Sequence, residues 1–376
     1  MTIAARGIVY SGSDDRSRQS CAFPGICVMP GGRWLCTFRA APSKSATVGQ
    51  HVLLTISDDQ GQSWSEPVAP FTPPALDDRP GWFRVAYLTA IEGGRVRAVL
   101  CWVDASNPSL PFFNEATEGL LDTRIFLTGS EDGGDTWSAP RLMDTSPFDM
   151  PTPLTGPMLL LPNQELTCQF ELAKPYNDES EWRHASVLMF SFDGGASWPE
   201  HTVVSSDSEN RVFYWDQRPG VLDDGRLLDL FWTYDKTAAA YLNIHARDSS
   251  DNGRHLSAIW DTGVAGQPAP PVSLADGRIG MVYVDRTGPP AIKMRVSDDH
   301  GRSWPEETQV VIHESATPSQ TDADKGTMQD AWTEMGKFSV GLPATSLLSN
   351  GDVLVVFYAG PQTDETAIHW ARVQAK

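Results

Sequence analysis

The chain has 376 residues, 40% hydrophobic and 10% aromatic, with a net charge of −19 at pH 7. That supplies apolar material for a large core, excludes a disordered chain, and argues against nucleic acid or anionic membrane as partners. No apolar run is long enough to cross a membrane as a helix. The first residues lack the basic-then-apolar pattern of a secretory leader. The five cysteines (Cys21, Cys27, Cys36, Cys101, Cys168) show no CxxC spacing. They read as core residues of a reducing compartment, so a cytoplasmic location is expected. Arginine supplies 22 of the 29 basic residues. It suits bidentate recognition of carboxylates, although a compositional bias would give the same count.

In chain order, an apolar strand, a turn and a second apolar strand recur six times: Ile26–Phe38, Ala86–Trp102, Met158–Phe170, Val221–Trp232, Val272–Tyr283 and Thr345–Tyr358. Several turns are Asp-Gly or Asn-Gly, strong hairpin signals. A second repeat, S-x-D-x-G-x-x-W, interleaves with the first. It stands at Ser57–Trp64, Ser130–Trp137, Ser191–Trp198 and Ser297–Trp304, with a degenerate copy at Ser249–Leu256. Its Asp can bond turn amides, its Gly accepts positive φ, and its Trp covers the hairpin. Each unit reads strand, turn, strand, polar loop, strand, box, strand. The expectation is an all-β fold in one domain, residues 1–376: a six-bladed β-propeller of four-stranded antiparallel blades. The N-terminal strand Ile3–Tyr10 is expected to complete blade six.

These Asp boxes give the chain a resemblance to the sialidase (neuraminidase) superfamily over nearly its whole length. The resemblance implies that the boxes lie on the rim opposite the active site. It also implies a catalytic set: three Arg clamping a sugar carboxylate, a Tyr nucleophile assisted by a Glu, and an Asp acid/base. The residues at three of those places differ. Ala22 stands where the first clamp Arg is expected, the loop 39–50 holds no carboxylate, and Val340–Ala344 holds no Tyr. The resemblance therefore carries the fold and not the sialidase mechanism.

In this architecture the active face is lined by the segments leading into each innermost strand and by the loops joining second and third strands. Blade four is the richest, with Phe213–Pro219 (FYWDQRP) and Phe231–Lys236 (FWTYDK). Acids beside aromatic rings suit a sugar, and two carboxylates from different blades could act as acid and base. The candidate catalytic residues are Asp216, Asp235, Glu171 and Tyr234. Candidate substrate-binding residues are Arg39, Arg84, Arg183, Trp215, Arg218, Gln267 and Arg286. Asp216, Arg218, Asp235 and Arg286 are expected to meet at one mouth. Lys44, His184 and Glu334 lie on the same segments. For each residue an inter-blade ion pair or core role is the plain alternative. Neither a metal nor a cofactor is expected, because the histidines lack ligand spacing and no phosphate-binding loop is present. The leading reading is a glycosidase releasing an acidic sugar from a glycan or oligosaccharide. A lyase acting on uronate glycans and a non-catalytic glycan-binding propeller stay open, as does the oligomeric state.

Overall fold

The computed structural model describes residues 1–316 and 327–375. Strands such as Leu227–Asp235 are buried along their whole length, because neighbouring sheets cover both faces. The sequence answers with a nearly continuous apolar run. Outer strands read differently. Thr2–Ser11 alternates between exposed and half-buried positions, as a strand with one solvated face must.

One sheet has seven strands, two have four and two have five, and a two-stranded hairpin (Phe113–Asn114 with Gly119–Leu120) stands apart. Sequence repeats suggested six equal units; by hydrogen bonding, the first and last share the seven-stranded sheet. They join at a single parallel pair, Ser20 with Thr366. There the Cys21 amide donates to Thr366 Oγ1 at 2.8 Å, and that hydroxyl donates to Cys21 O at 2.7 Å. Thr2–Ser11 pairs antiparallel with Glu365–Gln374. The sheets surround one narrow channel, lined by Pro24, Tyr87, Pro157, Arg218, Pro270 and Pro343 among others. Apolar clusters fill the seams between successive sheets, for example Val99, Cys101 and Ile125 against Cys168, Val187 and Met189. The architecture is an all-β propeller.

All five box copies fold alike. In the first, Ser57 Oγ donates to Asp59 Oδ1 at 2.9 Å and accepts from Gly61 N at 2.8 Å, while Asp59 accepts from Ser63 N at 2.9 Å. Gly61 sits at φ 85°, and a Cβ there would lie 2.7 Å from the Trp34 ring. The degenerate copy keeps the same bonds through Ser249, Asp251 and Gly253.

Truncating Trp198, buried in the seam between two sheets, should destabilise the fold by about 3–5 kcal/mol, read as a lower denaturant midpoint in Trp198→Ala. The box carboxylates also shape the acid response. Bonds from the Thr136 hydroxyl and amide and from Ser130 hold Asp132 down to about 2. An unfolded Asp titrates near roughly 3.9. The contribution of a depressed carboxylate is therefore fully present above about pH 4 and lost as pH falls toward 2. Melting temperature should decline over that interval, with carbon NMR of the Asp132 carboxylate titrating at its lower end.

Candidate functional site at the channel mouth

The channel itself holds only about 40 Å³. The chemistry gathers at its mouth, where the innermost strand Val212–Val221 bulges. Its pairing with Leu227–Asp235 jumps from Trp215↔Trp232 to Arg218↔Leu230, and Asp216 takes φ 52° inside the bulge. A bulge re-aims a side chain, and Asp tolerates the left-handed region better than most residues. Buried Gln217 fixes the bulge by donating to Phe170 O and Val187 O of the neighbouring sheet, both at 2.9 Å.

The Asp216 carboxylate lies 3.2 Å from Arg218 Nη2 and accepts from Gln267 Nε2 at 2.5 Å. Gln267 Oε1 in turn accepts from Arg286 Nη1 at 2.9 Å, and Arg286 donates to Val340 O at 3.1 Å. The Asp216 amide donates to Glu171 Oε1, whose other oxygen lies 3.5 Å from His184 Nε2. His184 is stacked on Phe213 at 5.4 Å. Asp216, Arg218, Gln267, Arg286 and Glu171 thus form one connected group drawn from three sheets.

A second group of cations stands beside it. Arg39 is fully buried. It donates to Gln50 Oε1 at 2.6 Å and to Ala46 O at 2.7 Å, which orders the loop 39–50. Its Nη1 is buried with no hydrogen-bond partner. Arg84 lies over the rings of Phe112 (4.2 Å) and Phe23 (4.9 Å). Lys44 donates to Met335 O and Phe338 O at 2.7 and 2.6 Å. Burial pushes Arg39 down to about 9, helped by Arg84, and Arg84 down to about 10. Burial and the nearby Arg286, Arg84 and Arg39 push Lys44 well below the usual lysine range. Among the described residues, none of these three cations forms an ion pair with a carboxylate side chain.

Four expected site residues stand elsewhere. Trp215 and Tyr234 do not face the channel; they stack on each other at 4.8 Å inside an aromatic core roofed by the helix Met328–Lys337. Trp332 of that helix stacks on Phe113 at 4.1 Å, and Tyr234 donates to Thr327 O at 3.4 Å. The rings are thus occupied by the protein's own helix. Asp235 is bound by Arg211 at 2.7 Å and by the Thr237 and Ala238 amides at 2.9 Å, so it ties strand to turn. Arg183 is 68% exposed and, among the described residues, its ion-pair partner is Glu181, at 4.0 Å.

Two tyrosines at the mouth escaped the sequence reading. Tyr87 lines the channel. Tyr358 pairs across from Gly341, where a Cβ would come within 2.8 Å of the Tyr358 hydroxyl and 2.7 Å of Arg286 Nη2. Burial holds both phenols up at about 12, although Arg218 and Arg286 respectively pull them down. The glycine opposite Tyr358 is the only local signal of this close approach.

The family description "BNR repeat-like domain" matches residues 112–309. No curated protein matches the chain. Among solved structures, the chain is similar to a Dyadobacter fermentans protein of unknown function (18% identity, 99% of each chain covered, TM-score 0.73). It is similar to a Hadza microbial sialidase (14%, 98% of this chain and 68% of that one, TM-score 0.69). It is also similar to a Penicillium chrysogenum α-L-arabinanase solved with arabinobiose (15%, 100% and 99%, TM-score 0.65). At these identities the likeness concerns the fold.

The placement of Asp235 gives a direct test. Asp235→Ala should lower thermal stability, by about 1–3 kcal/mol for a buried charged acceptor removed from its donors. Scanning calorimetry of the variant checks it.

Proposed function

For a chain that belongs to the BNR repeat-like domain family, we propose a single six-bladed propeller over residues 1–376 that acts as a glycoside hydrolase. It releases an acidic sugar from the end of a glycan or oligosaccharide. Dividing the seven-stranded sheet at its lone Ser20–Thr366 pair supports the count of six. So do the six chain segments that line the channel.

One observation carries the activity: among the described residues Arg39, Arg84 and Lys44 crowd the mouth with no carboxylate in ion-pair contact, Asp364 accepting only the Lys44 backbone amide, beside the oriented carboxylates of Asp216 and Glu171. Cations removed from water cost several kcal/mol each unless paired. A substrate carboxylate would supply the missing charge, in a chain whose overall charge of −19 otherwise repels anions. Steering by such a local positive field favours an anionic ligand. Asp216, aimed by Arg218 and Gln267, and Glu171, aimed by the Asp216 amide, then serve as the acid and base pair of glycoside cleavage. Arg218 and Arg286 hold that pair and the sugar in register. The sialidase and arabinanase names belong to the neighbouring structures; here they support a carbohydrate substrate. Ala22 and the carboxylate-free loop 39–50 speak against sialic acid. The lyase reading needs a Tyr, His or Lys base; burial holds the phenols of Tyr87 and Tyr358 up at about 12, so that reading would rest on Lys44 or His184.

The test is release of 4-methylumbelliferone from a set of acidic glycosides. Glucuronide or galacturonide should turn over and the sialoside should not. Asp216→Asn and Glu171→Gln should each slow release at least about a hundredfold, the scale of a lost general acid or base, without a change in melting temperature. Rapid sialoside hydrolysis, or new absorbance near roughly 235 nm from a polyuronate as elimination forms a conjugated double bond, would replace this reading.

A further inference from the structure

A larger hollow of about 300 Å³ lies outside the channel, between the sheet of Gly81–Ile91 and that of Leu159–Leu160. Its floor is Leu120 and Leu121, both buried, at the end of the hairpin Phe113–Asn114/Gly119–Leu120. Its far wall is Pro175 and Tyr176. The two walls are sewn together. Leu120 N donates to Lys174 O at 3.0 Å. Asn114 Nδ2 and Thr117 Oγ1 donate to Tyr176 O at 2.8 and 2.6 Å. The hairpin approaches so closely that a Cβ on Gly119 would stand 2.2 Å from Pro175 O. The hollow is therefore a built cavity and not a gap between independent loops.

Its polar rim is an alternating chain of acids and guanidinium groups. Arg79 bonds Asp104 at 2.8 Å and Asp122 at 2.9 Å; Arg124 bonds the other oxygen of Asp122 at 2.8 Å and Asp149 at 3.0 Å. Asp104 and Asp122 are held with lone pairs to spare beside Arg79 and Arg124, while Asp149 is 93% exposed and tethered by a single contact. Neighbouring hydroxyls on a sugar ring match that pattern, since each can donate to a carboxylate and accept from a guanidinium. An apolar floor and a tyrosine wall suit the C–H faces of the ring, and the volume lies at the lower end of ordinary small-ligand sites, roughly 300 Å³ upward. Three acids against two guanidiniums leave the rim negative, the reverse of the channel mouth, so an anion is disfavoured here.

We propose that this hollow is a second carbohydrate site, and that it binds a neutral, hydroxyl-bearing sugar ring. A short path of contacts leads from it to the cations of the mouth. Leu121 donates its amide to Phe112 O at 3.0 Å, and the Phe112 ring carries Arg84 on the channel side. The site does not depend on turnover at the channel.

D-glucose, D-galactose, D-mannose and L-arabinose, titrated singly into the full chain and followed by ligand-observed NMR, test it. At least one should bind with a Kd on the order of 1–10 mM. Tyr176→Ala and Asp122→Asn should each weaken that binding tenfold or more. Tyr176→Ala keeps the backbone carbonyl that anchors the hairpin, and an unchanged melting temperature confirms that the wall persists. Asp216→Asn should bind the sugar as the parent does, which separates this site from the channel reading. The proposal falls if none of the four sugars binds, if both rim variants bind normally, if acetate competes, or if Asp216→Asn alone abolishes binding.

Discussion

At Trp215–Arg218 the innermost strand carries more residues than its partner can pair, and the geometry of the mouth follows from how that surplus is absorbed. A non-glycine residue held at positive φ costs on the order of 1–3 kcal/mol and persists only where its surroundings over-determine it. Around Asp216 they do: Gln217 is bonded twice to the adjacent sheet, and the Asp216 amide is bonded to Glu171. The same device recurs at Phe23 (φ 54°) and Leu342 (φ 47°), also within bulged innermost strands. Those positions carry apolar side chains, so the fold builds one kind of bend and only one of the three carries a charge.

Arginine does two jobs in this molecule, and the bulk count conflates them. On the box-bearing side, Arg33 joins Asp58 to Asp135 across a seam, Arg226 joins Asp224 and Asp248, and Arg254 bonds Glu165. These guanidiniums are neutralised locally and partly solvated, so each adds little stability. Among the described residues, Arg39 and Arg84 at the mouth make no ion-pair contact of this kind. Their charge is offset by carbonyls, an amide and aromatic faces, which leaves a positive site in an acidic chain.

What the sequence revealed was whatever is local. The boxes are short contacts within eight residues, and their Ser, Asp and Gly can be read directly, including in the copy that lacks Trp. The hairpins follow from their turns. Asp216 and Arg218 could be placed near the channel because the sequence puts them at an innermost strand; they lie within that strand, and its bulge, not simple alternation, sets their direction. Trp215 and Tyr234 could not be placed, because what covers them comes from residues 328–337, about a hundred positions away. That helix has a readable cap, Thr327 with Asp330, but a helix is easily overlooked in a chain whose other elements are strands. Asp235 belongs elsewhere because its partner, Arg211, stands just before the facing strand, where a sequence shows no contact between them.

The pairing of Thr2–Ser11 with Glu365–Gln374 has a consequence in time. A chain emerges from the ribosome in order, so residues 2–11 wait until residues 365–374, their partner strand, have been made. Contacts of such sequence separation form late, because loop closure must precede them. Until then the intermediate is an open arc with an unpaired strand at its end, and exposed strand edges recruit other chains. The waiting strand carries one charge, Arg6, near its middle, and residues 2, 4, 6 and 8 stay exposed even after it has paired.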